Sequence, residues 1–204
     1  ALAKDLNITG DHTISEDFSG NINIENGTLT VASGASLDGN IDQLGAGGVV
    51  IERDASLRGN IKEAGPGSVE LYGSMTGRIE EKDEGNVVID LEKGVTYPGS
   101  IKEGGAGDVL LWAGVLRGSV AENGDGSVIV EDDVSHTGKV NESDEGEVVT
   151  AFTMIFESNG GGPVAPIHSF LGQPLGPLPV PNKADSIFLG WYTDNDSFIN
   201  AVCE

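Results

Sequence analysis

The chain has 204 residues, with 11 basic and 33 acidic side chains and a net charge of −22. That balance repels phosphate backbones and anionic head groups, so nucleic acid and anionic membrane are excluded as ready partners, while cations and cationic surfaces are favoured. One cysteine, Cys203, leaves no internal disulfide framework, and the longest apolar run, Val109 to Leu116, is too short to span a bilayer. The opening ALAKDL fits a mature end left after leader cleavage.

Glycine is abundant, aromatics are few, and hardly any segment repeats apolar residues at helical spacing, so almost no helix is expected. From the N-terminus onward a glycine is followed two residues later by an aliphatic side chain: Gly20-Asn21-Ile22, Gly39-Asn40-Ile41, Gly59-Asn60-Ile61, Gly77-Arg78-Ile79, Gly99-Ser100-Ile101, Gly118-Ser119-Val120 and Gly138-Lys139-Val140. These copies lie 18 to 22 residues apart. In phase with them run GTLTV, GVVI, GSVEL, GNVVI, GDVLL, GSVIV and GEVVT. A third signal precedes each anchoring glycine by two residues: Phe18, Leu37, Leu57, Met75, Tyr97, Leu116 and His136.

Three short apolar stretches per period of about twenty, without helix, predict an all-β chain folded as a β-solenoid. By the usual handedness this is a right-handed parallel β-helix of about seven coils over residues 1–150. Coils stack about 4.8 Å apart, so seven give a rod of roughly 30 Å. A sandwich of antiparallel hairpins is the competing fold, and the strict phase of the three signals argues against it.

Strand parity sorts the second signal. Val49/Ile51, Val69/Leu71, Val87/Ile89, Val109/Leu111 and Val128/Val130 are uniformly apolar and are expected inside. The residues between them form an outward column: Thr30, Val50, Glu70, Val88, Leu110, Ile129 and Val149. Two positions beyond, Tyr72 and Trp112 interrupt Glu52, Asp90 and Glu131. An apolar stripe of this length marks a contact surface, although strand propensity alone also favours Val and Ile.

Four residues after the anchoring glycines stand Gln43, Glu63, Glu81, Glu103, Glu122 and Glu142. Neighbouring carboxylates one coil apart repel by about 1 kcal/mol even in water. Splaying outward into solvent relieves that repulsion; calcium, which takes carboxylate and carbonyl oxygens, is the cation such a column would otherwise attract. Lys62, Glu80 and Lys102 alternate in sign on adjacent coils, as in simple cross-strand charge pairing.

The stacked G-x-[IV] units over about residues 5 to 150 resemble the bactofilin-like, polymer-forming surface β-helices, although the coils here are slightly longer and the acidic turns depart from that family. The resemblance implies end-to-end self-assembly.

The repeat stops near Thr150, and six of the eight prolines follow it. The segment Phe156-Glu157-Ser158-Asn159-Gly160-Gly161, then Pro163, Pro166, Gly172, Pro179 and Pro181, ends in Phe188-Leu189-Gly190-Trp191-Tyr192-Thr193-Asp194. It resembles the Listeria–Bacteroides repeat, the internalin B-repeat module. That resemblance implies a small β-grasp-like module over 151–204, on secreted or cell-surface proteins, serving as spacer or adhesion unit without catalytic residues. The family continues to a further closing strand. An incomplete sheet here would leave an open edge for a strand from another copy, with ALAKDLNITG as a candidate donor.

His12, His136 and His168 share no metal-ligand spacing with one another or with Cys203. No phosphate loop, nucleophile elbow or dinucleotide fingerprint is present, and no pair of carboxylates is singled out from the general acidity. An enzyme is not expected, and no cofactor beyond calcium is implied.

The sequence therefore points to an extracellular or cell-surface structural protein that forms homo-oligomers or a homopolymer, as a filament or fibre subunit. Its expected interaction residues are Val50, Tyr72, Val88, Leu110, Trp112, Ile129 and Val149 on the rod, and Phe156 and Trp191 in the tail. The alternative is an adhesin that holds a glycan or host protein through Tyr72, Trp112 and the acidic turns.

Overall fold

The computed structural model describes residues 5–143 and 145–193. The chain divides into two compact units, residues 1–150 and 151–204. The first is a β-solenoid of about seven turns, without helix among the described residues. Its first face stacks Leu6–Ile8, Ile22–Ile24, Ile41–Gln43, Ile61–Glu63, Ile79–Glu80, Ile101–Glu103, Val120–Glu122 and Val140–Glu142 in parallel. The second stacks His12–Ile14, Leu29–Val31, Val49–Ile51, Val69–Leu71, Val87–Asp90, Val109–Ala113, Val128–Glu131 and Val148–Met154. The third carries Phe18–Ser19, Ser36–Asp38, Ser56–Arg58 and Ser74–Thr76, then, as a separate ladder, Thr96–Tyr97, Val115–Leu116 and Ser135–His136.

Alternation sends Ile22, Ile41, Ile61, Ile79, Ile101 and Val120 inward from the first face, to meet the valines and leucines of the second and Leu37, Leu57, Met75, Tyr97 and Leu116 of the third. Each inward residue sits in register on its equivalent one coil away, for example Ile61 on Ile41 and Ile79 on Ile61. One coil buries too little apolar surface to order its own backbone, so stability resides in the stacking.

Two glycine columns set the corners. The anchoring glycines Gly39, Gly59, Gly77, Gly99, Gly118 and Gly138 each lie so close to the glycine one coil below that a Cβ would overlap its backbone. A second column, Gly47, Gly67, Gly85, Gly107, Gly126 and Gly146, does the same before the second face. Gly77 also takes φ +118°, which L side chains rarely adopt.

At several coils the residue after the glycine ties it to the next coil. Asn21 Oδ1 accepts from Asn40 N (3.0 Å), Asn40 Oδ1 from Asn60 N (2.9 Å), and Asn60 Oδ1 from Arg78 N (2.8 Å). At the second corner Asn86 Oδ1 accepts from Asp108 N and Asp108 Oδ1 from Ser127 N, both at 2.8 Å. These bonds occupy turn N–H groups that the strand ladders leave over. Asn40→Ala removes one such acceptor at an exposed corner, and equilibrium unfolding is expected to register a loss of about 1 kcal/mol.

The break in the third face has a local cause. Arg117 N donates to Tyr97 O and Thr137 N to Leu116 O, both at 3.0 Å. The equivalent residue one coil earlier is Pro98, which has no N–H to offer Met75. Tyr97 compensates: its ring is fully buried and its hydroxyl donates to Gly77 O (2.8 Å) and lies 3.2 Å from Ser100 O. This is also the longest coil, 22 residues between Gly77 and Gly99. The next strand of the second face bulges, so that Asp90 pairs with Ala113 and Trp112 falls in the bulge.

In the second unit, Ala151–Met154 pairs antiparallel with Ile167–Phe170. Trp191 packs against Phe156 and Phe188, with ring centroids 4.7 and 5.3 Å away, and its indole Nε1 donates to Pro179 O at 2.7 Å. Among the described residues this strand pair and aromatic cluster are the unit's main framework. The candidate strand donor ALAKDLNITG is largely engaged already, because its Leu6–Ile8 is the first strand of the solenoid and pairs with Ile22–Ile24; its first four residues, and the tail after Thr193 with Cys203, lie outside the described residues.

Candidate self-association surface

The second face carries its outward stripe in register. Thr30 pairs with Val50, Val50 with Glu70, Glu70 with Val88, Val88 with Leu110, and Leu110 with Ile129. Each of these residues is half-exposed, as is Val149, so the strands hold their side chains at the surface while Val49, Val69, Val87, Val109 and Val128 fill the interior. Val88, Leu110 and Ile129 form an unbroken aliphatic run over three coils, and Glu70 separates them from Val50.

Tyr72 is not a free stacking platform. Its hydroxyl donates to Glu70 Oε2 at 2.9 Å, and the Arg53 guanidinium sits 5.9 Å from its ring centroid. Arg53 in turn reaches Asp90 at 3.0 Å, so the ion pair passes Tyr72 on the way between coils. Burial, and then the Glu70 carboxylate, raise the Tyr72 pKa. Trp112 is half-exposed in the bulge, out of line with Tyr72. Phe156 and Trp191, expected as interaction residues, are brought together by the structure and pack on each other.

The parity of the second face fails at its last coil. Val148 is 54% exposed although Val128, its equivalent, is fully buried. His136 holds the slot that Leu116 fills one coil earlier, yet it too is exposed, and Val140 is only half-buried. Among the described residues no further coil stacks on these within the solenoid, whose last first-face strand is Val140–Glu142.

The acidic column requires a correction. Glu63, Glu81, Glu103 and Glu122 do not splay into solvent; with Gln43 they are completely buried, and Glu142 of the last coil is half-buried. The reason is parity: each stands two residues after an inward aliphatic, Ile61, Ile79, Ile101 or Val120, and so points inward too. Oε1 of each closes the following turn, accepting from Gly65 N (3.0 Å), Asp83 N (2.9 Å), Gly105 N (2.6 Å) and Gly124 N (2.6 Å) respectively. Each Oε2 is buried without a donor.

Burial pushes Glu63 up to about 8, reinforced by the carboxyl of Glu81. Burial likewise pushes Glu103 up to about 9, with Glu81 and Glu122 adding to it. Splaying outward, the first of the two expected ways to relieve the repulsion, does not hold for these four. Among the described residues, no group of three or more His, Cys, Asp or Glu side chains is disposed to hold a metal ion.

The expected alternation of Lys62, Glu80 and Lys102 is in register, but the ion pairs run elsewhere. Glu80 meets Lys82 at 3.1 Å and Arg78 at 3.8 Å, two residues along its own strand direction, and Lys82 above all holds its pKa down.

Among the described residues no helix is long and apolar enough to cross a membrane. No protein-family model matches the chain, and no curated protein or solved structure matches it either.

Proposed function

We propose that this chain is a structural subunit of an extracellular or cell-surface assembly, built to associate with copies of itself through the second face of the solenoid. The observation that carries this reading is the in-register run Val88–Leu110–Ile129, held half-exposed where the same strands had every opportunity to place polar residues. A contiguous aliphatic patch on a chain of net charge −22 is retained against the demand for solubility, which fits a surface covered in use. At the last coil Val148 is also more than half exposed; in the second unit, taken by itself, so are Ile155, Leu171 and Ile187.

The test is a Leu110→Asp/Ile129→Asp double variant. Both side chains point away from the core, so the loss in unfolding stability should be confined to about 1–2 kcal/mol, from the poor strand propensity and mutual repulsion of two register-paired aspartates. Each lost apolar contact is worth about 1.5–3 kcal/mol, so the concentration at which particles form, read by light scattering and electron microscopy, should rise at least about 100-fold. Assembly at the native concentration would sink the reading. The adhesin alternative, in which a glycan or host protein docks on Trp112, predicts unaltered assembly and loss of ligand binding alone.

A further inference from the structure

The buried column invites comparison with its one neutral member. Gln43 occupies the same slot as the glutamates and is fully satisfied: Oε1 accepts from Gly45 N (2.8 Å), and Nε2 donates to Gly47 O (2.8 Å) and Gly27 O (3.2 Å). In Glu63, Glu81, Glu103 and Glu122, Oε1 keeps the turn bond, while Oε2 has no donor. The coil repeat puts glycine carbonyls, Gly47 and Gly67 in the case of Glu63, where Gln43 finds its acceptors. An ionised oxygen beside a carbonyl oxygen or a second carboxylate is repelled by both; a protonated one donates to either.

We propose that Glu63 and Glu103, with Glu81 and Glu122 beside them in the buried column, each hold a proton inside the folded solenoid, so that their Oε2 atoms hydrogen-bond in the manner of Gln43 Nε2.

The surroundings give the charge no other relief. Glu63 is acted on by Glu81 and Asp83, and Glu103 by Glu81 and Glu122, all acidic. Gln43 lies one coil below and Glu142 one coil above. The inward residues of the second and third faces opposite them are aliphatic apart from Met75 and Tyr97, whose hydroxyl is held by backbone carbonyls. Glu131, also buried, belongs to the second face. Burying an ionised carboxylate among such neighbours is costly, and binding a proton removes that cost.

The sign follows from linkage. Glu63 and Glu103 bind protons more tightly folded than unfolded, since both are raised from the ordinary 4.5. Their contribution is fully present below about pH 4.5 and is lost as pH rises through 8 to 9. Over that window each proton held makes the unfolding constant rise about tenfold per pH unit.

The experiment compares the native chain with Glu63→Gln/Glu103→Gln. Infrared spectra of the native folded protein in deuterated buffer near neutrality should show a protonated-carboxyl carbonyl band that disappears on unfolding and shrinks in the variant. The unfolding constant of the native chain, read by denaturant titration, should rise from about pH 5 to pH 8 by up to about 100-fold per unit for two protons, and that of the variant far less, leaving the variant the more stable at pH 8. Absence of the band, a band unchanged in the variant, or parallel pH profiles would overturn the proposal. So would a melting temperature that calcium raises and a chelator lowers, which would make a cation the occupant. The infrared arm needs only the native chain and stands even if the variant fails to fold.

Discussion

Alanine at Gly67 is expected to lower the stability of the solenoid by about 3–5 kcal/mol, which places it among the most damaging small substitutions this chain offers. Overpacking of side chains usually costs about 1–3 kcal/mol because rotamers yield. Here the new methyl meets the backbone of Gly47, with its carbonyl carbon and oxygen and the following amide all in the way. Yielding would mean separating two coils, and the same separation would pull on the strands of both adjoining faces. Gly34→Ala is the control: its φ of +82° strains any L residue, but nothing lies within 4 Å of the added Cβ, so the cost is confined to about 1–2 kcal/mol of backbone strain. Equilibrium denaturation of the two variants separates contact from conformation. Equal losses would show that the corner column is not held by backbone-to-backbone approach.

Tyr97 carries the second large effect. Tyr97→Ala empties a fully buried ring's volume at the coil where the third-face ladder is interrupted, and a loss of about 3–5 kcal/mol is expected. Tyr97→Phe keeps the ring and withdraws the hydroxyl from Gly77 O and Ser100 O, for about 1–3 kcal/mol. Tyr97→Leu installs the residue that Leu57 and Leu116 show to fit the slot, and it should fall close to the phenylalanine variant. If alanine and phenylalanine prove equally harmful, the hydroxyl rather than the packed volume holds this coil.

The solenoid was legible because its three signals recur in phase and because parity along a three-residue strand leaves little choice of direction. The outward stripe from Val50 to Ile129 and the inward valines beside it stand where alternation puts them. The same counting also sends Glu63 and its equivalents inward, and Gln43 in the first copy was the visible hint that the slot tolerates a buried amide. Acidity suggested solvent instead, because an isolated buried carboxylate is costly; the stacked arrangement, with a turn N–H on one oxygen and a like group on the next coil, is not apparent from one copy. The Trp112 bulge was hidden for a different reason. A single extra residue shifts register without altering the apolar pattern, and only the pairing of Asp90 with Ala113 reveals it. His136 shares the slot of Leu116 but not its burial, since burial at that slot depends on a neighbour above that the last coil lacks.

The irregular coil between Gly77 and Gly99 has a consequence for how the chain finds its alignment. Coils with the same inward pattern are interchangeable partners, and a nascent strand pairs almost as well one repeat out of place as in it. An error of that kind would spread along the stack, since every later coil inherits it. The 22-residue coil, with Pro98 silent in the ladder and the bulge at Trp112 accommodating the next strand, fits one position only. A skipped repeat would carry the Pro98 gap and the Trp112 bulge to coils whose neighbours have no matching irregularity. The irregularity thus serves as an index mark in an otherwise uniform ruler, and a chain made perfectly periodic there would gain hydrogen bonds while losing the means to count its own turns.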